Sequence, residues 1–154
     1  MLELPHTLVG AAIATAIPNP YIALPLALAS HFVTDYLPHW NPHINTELKS
    51  KGMISSKSRL IILLDSGFAL MLGTLIAARF LPDVSRFSVI FFACFLAVAP
   101  DVAEIPYYFL GMQNVPLIKK LISWQRGHQW NVRPMLGVLT QAIVVIASLI
   151  VIFR

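Results

Sequence analysis

The chain has 154 residues, of which 57% are hydrophobic and only 12% charged, and its mean hydropathy is +0.73. Because a soluble domain carries roughly 25% charged residues, this composition excludes a soluble globular domain, a disordered chain and a nucleic-acid-binding module, despite a formal net charge of +4. We therefore expect a single integral membrane domain over residues 1–154. An all-α bundle is predicted, because the strict alternation of a membrane β-barrel is absent from the sequence.

The hydropathy pattern predicts about five membrane helices. Segment 4–17 is short for a crossing, which takes about 20 residues, and it ends at a Pro-Asn-Pro turn. Segment 21–37 follows, and the small residues of the first helix favour a tight helical hairpin between the two. Further helices are predicted at 59–81, 84–110 and 134–153, with a polar loop at 38–58. A short interfacial helix is expected at 117–124, within the polar segment 111–133.

The basic residues predict the orientation in the membrane. Loop 38–59 carries four of them and segment 111–133 carries four more, whereas the turn at 18–20 carries none. Five crossings place both basic segments on one side of the membrane, and the positive-inside rule makes that side the cytoplasm. We therefore expect a multi-pass protein of the inner (cell) membrane, with a cytoplasmic N-terminus.

Several ionisable residues lie in apolar segments, where an unpaired charge is costly. In the predicted topology they all fall near the cytoplasmic ends of the helices. Because neutral imidazoles and carboxylates bind divalent metals, we predict that they hold one to three ions, with zinc as the expected metal. The predicted ligands are His6, His31, Asp35, Asp65, Asp101, Glu104 and His128. His39, His43 and Arg126 are expected around these ligands or against a substrate.

Helical spacing supports two of these pairs. His31 and Asp35 are four residues apart and Asp101 and Glu104 are three apart, so each pair shares a helix face. Each of these residues, taken alone, also has a structural interpretation that needs no metal. The first pair could be a hydrogen bond at a helix end, and the second could mark a proline kink. Asp65 could be a packing or proton-relay residue, and His128 could contact lipid headgroups.

Several segments of the sequence resemble segments of one known family. Segment 30–40, SHFVTDYLPHW, resembles the SHxxxDxxxP/W segment of the small bacterial inner-membrane "membrane-bound metal-dependent hydrolase" family. A histidine opening a small-residue helix, here His6, is another feature of that group, and segment 99–106 is similar to its L-P-D-x-D-H-P segment. The family's H-R-G-x-T-H-S segment corresponds here to Gln125-Arg126-Gly127-His128, with Gln in place of the first His. That family is thought to be akin to zinc-dependent phospholipase C and P1-type nucleases.

The resemblance implies a metal-dependent hydrolase of phosphoester bonds. The location of the site at headgroup depth, on the predicted cytoplasmic side, would suit a lipid-linked phosphate. Asp35 would bridge metals, and Asp65 and Glu104 are the candidate catalytic residues. Arg126 or Lys120 would contact a phosphate. Membrane lipid is the expected partner, and charge alone predicts no nucleic-acid partner. Two non-enzymatic alternatives stay open: a small metal or proton transporter that uses the same residues, and a structural subunit with a vestigial metal site.

Overall fold

The computed structural model describes all 154 residues, and it is a bundle of eight helices without strands. This confirms the predicted all-α helical bundle, although the number of helices differs from five, because the polar segments contain two helices and the segment 84–110 is divided into two. In chain order the helices are α1 (Glu3–Ala16), α2 (Pro20–Asp35), α3 (Ile44–Lys51), α4 (Ser56–Ala78), α5 (Val84–Val102), α6 (Ile105–Phe109), α7 (Pro116–Arg126) and α8 (Pro134–Phe153).

Three helices, α4, α5 and α8, are long and apolar enough to cross a membrane. With 14 and 16 residues, α1 and α2 are about 21 and 24 Å long at 1.5 Å per residue. Both lengths fall short of a hydrocarbon core of about 30 Å. Because α1 and α2 are antiparallel, the start of α1 and the end of α2 lie on the same side of the hairpin, whether or not the hairpin crosses the bilayer.

The predicted fourth helix, 84–110, is divided in the structure. Helix α5 ends at Val102, and α6 begins at Ile105. Pro106 explains the break, because proline has no backbone N–H to donate to the carbonyl of Val102 and its ring clashes with that carbonyl. The break leaves Glu104 at a helix junction instead of inside a continuous span.

Helix α1 lies at the centre of the bundle, where it packs against α2, α4, α5 and α8. Its buried face consists largely of small residues, among them Ala11 and Ala14, which pack against alanines of α2 and α5. The outward faces of α4 and α8 carry exposed apolar side chains such as Leu63 and Ile146. A small-residue interior with an apolar exterior is typical of helices that pack against each other within lipid.

One end of the bundle gathers the starts of α1, α4 and α8 and the end of α2. The backbone N–H of Leu2 donates to Gln141 of α8, and that of Glu3 donates to Asp65 of α4. The amino group of Met1 forms an ion pair with Asp35, the last residue of α2. The polar residues of these helices therefore meet at a single end of the bundle, which is the arrangement that the orientation argument requires.

The predicted orientation can be tested with single cysteines in a Cys94→Ser background. Ser50 lies in loop 38–58 and Ser85 lies at the opposite end of the bundle, and both are exposed. We expect an impermeant maleimide to label Ser85→Cys in intact cells, whereas Ser50→Cys should be labelled only after permeabilisation, as the positive-inside rule requires. Labelling of Ser50→Cys in intact cells would overturn the orientation.

Candidate metal centre

Helices α1 and α2 bring three polar residues together inside the bundle. His31 and Asp35 lie on the inward face of α2, and they are 0% and 1% exposed. The Nε2 atom of His31 is 3.6 Å from Oδ2 of Asp35. His6 of α1 is also fully buried and stacks on His31 with ring centroids 4.1 Å apart. Its Nε2 atom lies 3.3 Å from Oδ1 of Asp35, so both imidazoles point at the same carboxylate.

Helices α5 and α7 add two residues on the other side of His31. Oδ1 of Asp101 is 3.6 Å from Nε2 of His31. Gln125 is 1% exposed and donates from Nε2 to Oδ1 of Asp101 over 2.8 Å. The ligand atoms of His6, His31 and Asp101 all lie within 4.8 Å of one another, and this group could hold a metal ion.

His39 reaches the same carboxylate from the loop after α2. It is fully buried, and its Nε2 atom is 3.8 Å from Oδ1 of Asp35 and has no hydrogen-bond partner. Burial lowers the pKa of His39 to about 4, so its imidazole is neutral at pH 7. The sequence predicts this residue around the ligands, and the structure places it in the cluster itself.

The loop that carries His39 is held by the backbone on both sides. The N–H of His39 donates to Trp130, and its carbonyl accepts from Val132. Helix α8 approaches closely because it has a glycine here: a Cβ atom on Gly137 would lie 2.7 Å from the carbonyl carbon of His39. The position of His39 therefore depends on contacts with residues about 90 positions later in the chain.

Hydrogen bonds determine which nitrogen carries the proton in two of the histidines. Nδ1 of His31 donates to the carbonyl of Ala97 over 2.9 Å, and Nδ1 of His39 donates to the carbonyl of Leu37 over 2.8 Å. A carbonyl can only accept, so each ring carries a proton on Nδ1, and in its neutral form it presents an Nε2 lone pair towards Asp35. Metal-binding histidines usually have this arrangement, in which the other ring nitrogen donates to the protein.

His6 has the same tautomer for a related reason. Its Nδ1 atom lies 2.9 Å from the hydroxyl of Thr34, and that hydroxyl donates its proton to the carbonyl of Ser30 over 2.8 Å. The hydroxyl oxygen must therefore accept from His6, whose Nε2 lone pair faces Asp35. The amino group of Met1 contacts both Asp35 and this Nε2, the latter over 3.2 Å. A positive charge is thus already accommodated among the acceptors.

The sequence predicts Asp65 as a metal ligand, whereas the structure places it at the start of α1. Its carboxylate accepts from the backbone N–H of Glu3 and from that of Leu4, the latter over 3.4 Å. These amides open α1, whose own N-cap, Leu2, has no capping side chain. Asp65 therefore caps α1 from a neighbouring helix, outside the group formed by His6, His31 and Asp101.

Glu104 lies at the junction of α5 and α6 and lines a cavity beside Asp101. Its Oε1 atom is buried without a hydrogen-bond partner. Burial raises the pKa of Glu104 to about 8, and the carboxylate of Asp101 acts in the same direction. A carboxyl group that titrates near neutral pH is suited to accept or donate a proton.

The remaining predicted residues lie outside the cluster. His128 is partly exposed, donates from Nδ1 to the carbonyl of Trp124 over 2.7 Å, and packs against Tyr36. It contacts neither Asp35 nor Asp101. His43 is exposed, and both it and Arg126 line the cavity. Lys120 is exposed on α7.

The sequence reasoning did not select two residues that the structure brings to this end of the bundle. Gln125 has an uncharged side chain, and only its place in the segment compared with H-R-G-x-T-H-S could have indicated it. Glu3 lines the cavity and has a buried, unpartnered Oε2 atom. Its position one turn before His6 could have indicated it, because both residues open the same helix.

The fold and the cluster define this protein as an all-α helical bundle with three membrane-length helices and a buried His/Asp cluster at one end. No family model, curated protein or solved structure matches the chain. The chemistry of the cluster is therefore the basis on which a function is proposed.

Proposed function

We propose that this protein is a membrane-embedded, metal-dependent hydrolase of phosphoester bonds, and that its buried cluster holds a divalent metal ion, zinc in the simplest case. One observation carries the proposal: three imidazole Nε2 atoms and two carboxylates converge in the protein interior, around the positively charged amino group of Met1. The cluster consists of His6, His31, Asp35, His39 and Asp101.

Such an arrangement requires a cation, and the amino group of Met1 lies at that place in the structure. Every atom that faces Asp35 from a histidine is a lone-pair acceptor, and a carboxylate is also an acceptor, so these groups repel each other in a low-dielectric interior. A divalent metal ion in place of this amino group would carry a higher charge and would accept several lone pairs at once. Histidine nitrogen and carboxylate oxygen are ligands that zinc favours.

The distances within the cluster agree with shared ligation. Two ligands about 2.1 Å from a tetrahedral zinc lie about 3.4 Å apart. The four histidine-to-carboxylate distances in the cluster run from 3.3 to 3.8 Å. Most of the candidate metal ligands lie on helices, so their ligand atoms are held on a rigid scaffold.

Hydrolysis adds the oxygen of a water molecule to phosphorus, breaks the ester P–O bond and returns a proton to the leaving oxygen. A bound divalent metal lowers the pKa of water towards about 7 and offsets the charge that develops on phosphate oxygens. In this proposal the ionised form of Glu104, at the cavity beside Asp101, would take the proton of the water. Arg126 lines the same cavity and can bind a phosphate oxygen.

The transporter alternative has less support from the interior of the bundle. A pathway for ions needs polar groups at several depths. The other half of the bundle contains an apolar core that includes Ala14, Ile76, Ile90 and Ile152, with Ser148 and the contact of Arg86 with Thr15 as its polar groups. The histidines and carboxylates of the cluster are therefore confined to one half of the bundle.

Metal analysis tests the proposal directly. We expect protein purified without chelator to hold at least one divalent ion per chain, and we expect chelation to lower its thermal stability. At a free metal concentration about 100 times Kd, binding stabilises the folded state by about 2.7 kcal/mol. Elemental analysis and thermal unfolding, before chelation and after zinc is added back, measure both quantities.

Activity is measured on the same samples with p-nitrophenyl phosphate and bis(p-nitrophenyl) phosphate. We expect metal-dependent release of nitrophenol from at least one of them. A protein that is purified without metal and fails to bind added zinc would contradict the metal centre. A loaded protein that cleaves neither ester would contradict the hydrolase.

A further inference from the structure

A cavity of about 600 Å³ lies beside the cluster, between α4 and α5 and against α1. Of the five cluster residues only Asp101 lines it. One end of the cavity is polar and the other is apolar. The polar end is lined by Glu3, Asp65, Asp101, Glu104 and Arg126, and the other end by Gly73, Thr74, Phe91, Cys94 and Phe95.

The cavity is elongated along the helices. Asp65 and Gly73 are eight residues apart on α4, and Asp101 and Phe91 are ten apart on α5. At 1.5 Å per residue these separations correspond to about 12 and 15 Å. The cavity therefore extends from the polar end of the bundle to a depth near the middle of a hydrocarbon core about 30 Å thick.

The cavity is also open towards the lipid phase. Leu63 and Leu70 of α4 line the cavity and are 69% and 66% exposed, and Phe95 of α5 lines it and is 52% exposed. Side chains that face both the cavity and the outside form the edges of a lateral opening. A hydrocarbon chain could enter through this opening without crossing water.

We propose that the substrate is an amphiphile with a phosphorylated head and a hydrocarbon tail. The tail lies in the apolar end of the cavity, between α4 and α5, which we call the cleft. This inference rests on the proposed function, because four acidic side chains line the polar end together with Arg126 and Met1, and a bound metal would offset their charge when an anionic head enters. A soluble sugar phosphate or nucleotide would leave the cleft without a partner. A phosphorylated lipid uses both ends of the cavity.

Cys94 provides a direct measure of tail binding. It is the only cysteine, it is buried, and it lines the cleft seven residues before Asp101 on α5, a distance of about 10 Å along the helix. The probe is dodecyl phosphate, added to metal-loaded protein in nonionic detergent, and the measurement is the rate of Cys94 alkylation by N-ethylmaleimide. Two compounds are the matched controls. Butyl phosphate has the phosphate head but only a short tail, and dodecanol has the long tail but no phosphate.

We expect dodecyl phosphate to slow alkylation. At about four times its half-protecting concentration, mass action leaves about one fifth of the protein free and slows the reaction about fivefold. Butyl phosphate should not protect, because its tail ends before Cys94. Dodecanol at the same concentration should protect much less than dodecyl phosphate.

Two substitutions on α4 provide a second test. Ala69 is buried and lines the cleft, so Ala69→Phe should fill the tail site and abolish protection by dodecyl phosphate relative to its own unliganded rate. Gly67→Phe places the same ring outside, where an added Cβ meets no atom within 4 Å, and should retain protection. Metal content should be unchanged in both variants.

The outcomes separate this inference from the proposed function. If the protein holds metal and cleaves phosphoesters but dodecyl phosphate does not protect Cys94, or dodecanol protects equally well, the lipid substrate is wrong and the hydrolase stands. If the protein holds no metal while dodecyl phosphate still protects selectively, the proposed function is wrong and the cleft still binds a lipid phosphate. Equal protection in wild type and Ala69→Phe would overturn the location of the tail.

Discussion

Replacing Asp35 by Asn is expected to remove the metal from the protein. Asp35 is the carboxylate on which three imidazoles converge, and it is 1% exposed. The amide keeps the shape of the side chain but loses the negative charge that holds a cation. Because changes to groups that only support a metal ligand already cost about 10- to 100-fold in affinity, we expect a loss of at least about 100-fold here.

Elemental analysis and thermal unfolding with and without chelator measure this effect. The wild-type melting temperature should fall when metal is removed, and that of Asp35→Asn should not change. Asp83→Asn is the matched control, since Asp83 caps α5 at the opposite end of the bundle and asparagine caps equally well. His43→Ala, at an exposed loop residue, should also keep its metal. If Asp35→Asn retained metal and His43→Ala lost it, the proposed location of the metal site would be wrong.

Replacing Gly10 by Ala is expected to destabilise the protein and to disturb the cluster. A Cβ atom there would lie 2.5 Å from the carbonyl oxygen of Ala93 and 2.8 Å from Cβ of Ala97. The first of these atoms belongs to the backbone of α5, so the two helices must move apart. Overpacking of this kind costs about 1–3 kcal/mol.

The same displacement should weaken metal binding. Gly10 lies one turn after His6 on α1, and the carbonyl of Ala97 accepts the Nδ1 proton of His31. Separation of α1 from α5 therefore changes the distance between the two stacked imidazoles. The measurements are the free energy of unfolding and the metal content of the purified variant.

Gly67→Ala is the control for this substitution. It lies within α4, and an added Cβ meets no atom within 4 Å. Alanine there should stabilise the helix by about 0.5–1 kcal/mol, since it loses less conformational freedom than glycine. If Gly10→Ala were as stable as Gly67→Ala, the close contact between α1 and α5 would not be what positions the cluster.

The helices could be predicted from the sequence to a large extent, because hydropathy and proline are local signals. The segments predicted at 59–81 and 134–153 correspond to α4 and α8. The prediction for 84–110 missed the break at residue 103, although Pro106 was visible as the signal for it. The central position of α1 was not predicted, since a helix of 14 residues carries no local sign of how many neighbours surround it.

The candidate site could be predicted only in part. The spacing of His31 and Asp35 was sufficient to predict that these two residues lie together, because residues four apart on a helix share a face. His39 and Gln125 could not be assigned in this way. The first depends on a loop held by Trp130 and Val132, and the second depends on the position of α7, from which Gln125 reaches Asp101.

The sequence by itself determined that this protein is a helical membrane bundle with its ionisable residues near one end, because hydropathy and helical period act over a few residues. The tertiary structure decided which of those residues meet. It brought His6 and Asp101 to His31 across 25 and 70 residues of chain and left Asp65 to cap α1. It also placed an acceptor beside Nδ1 of each of the three cluster histidines: a carbonyl of another helix for His31, a carbonyl of the same loop for His39 and the hydroxyl of Thr34 for His6.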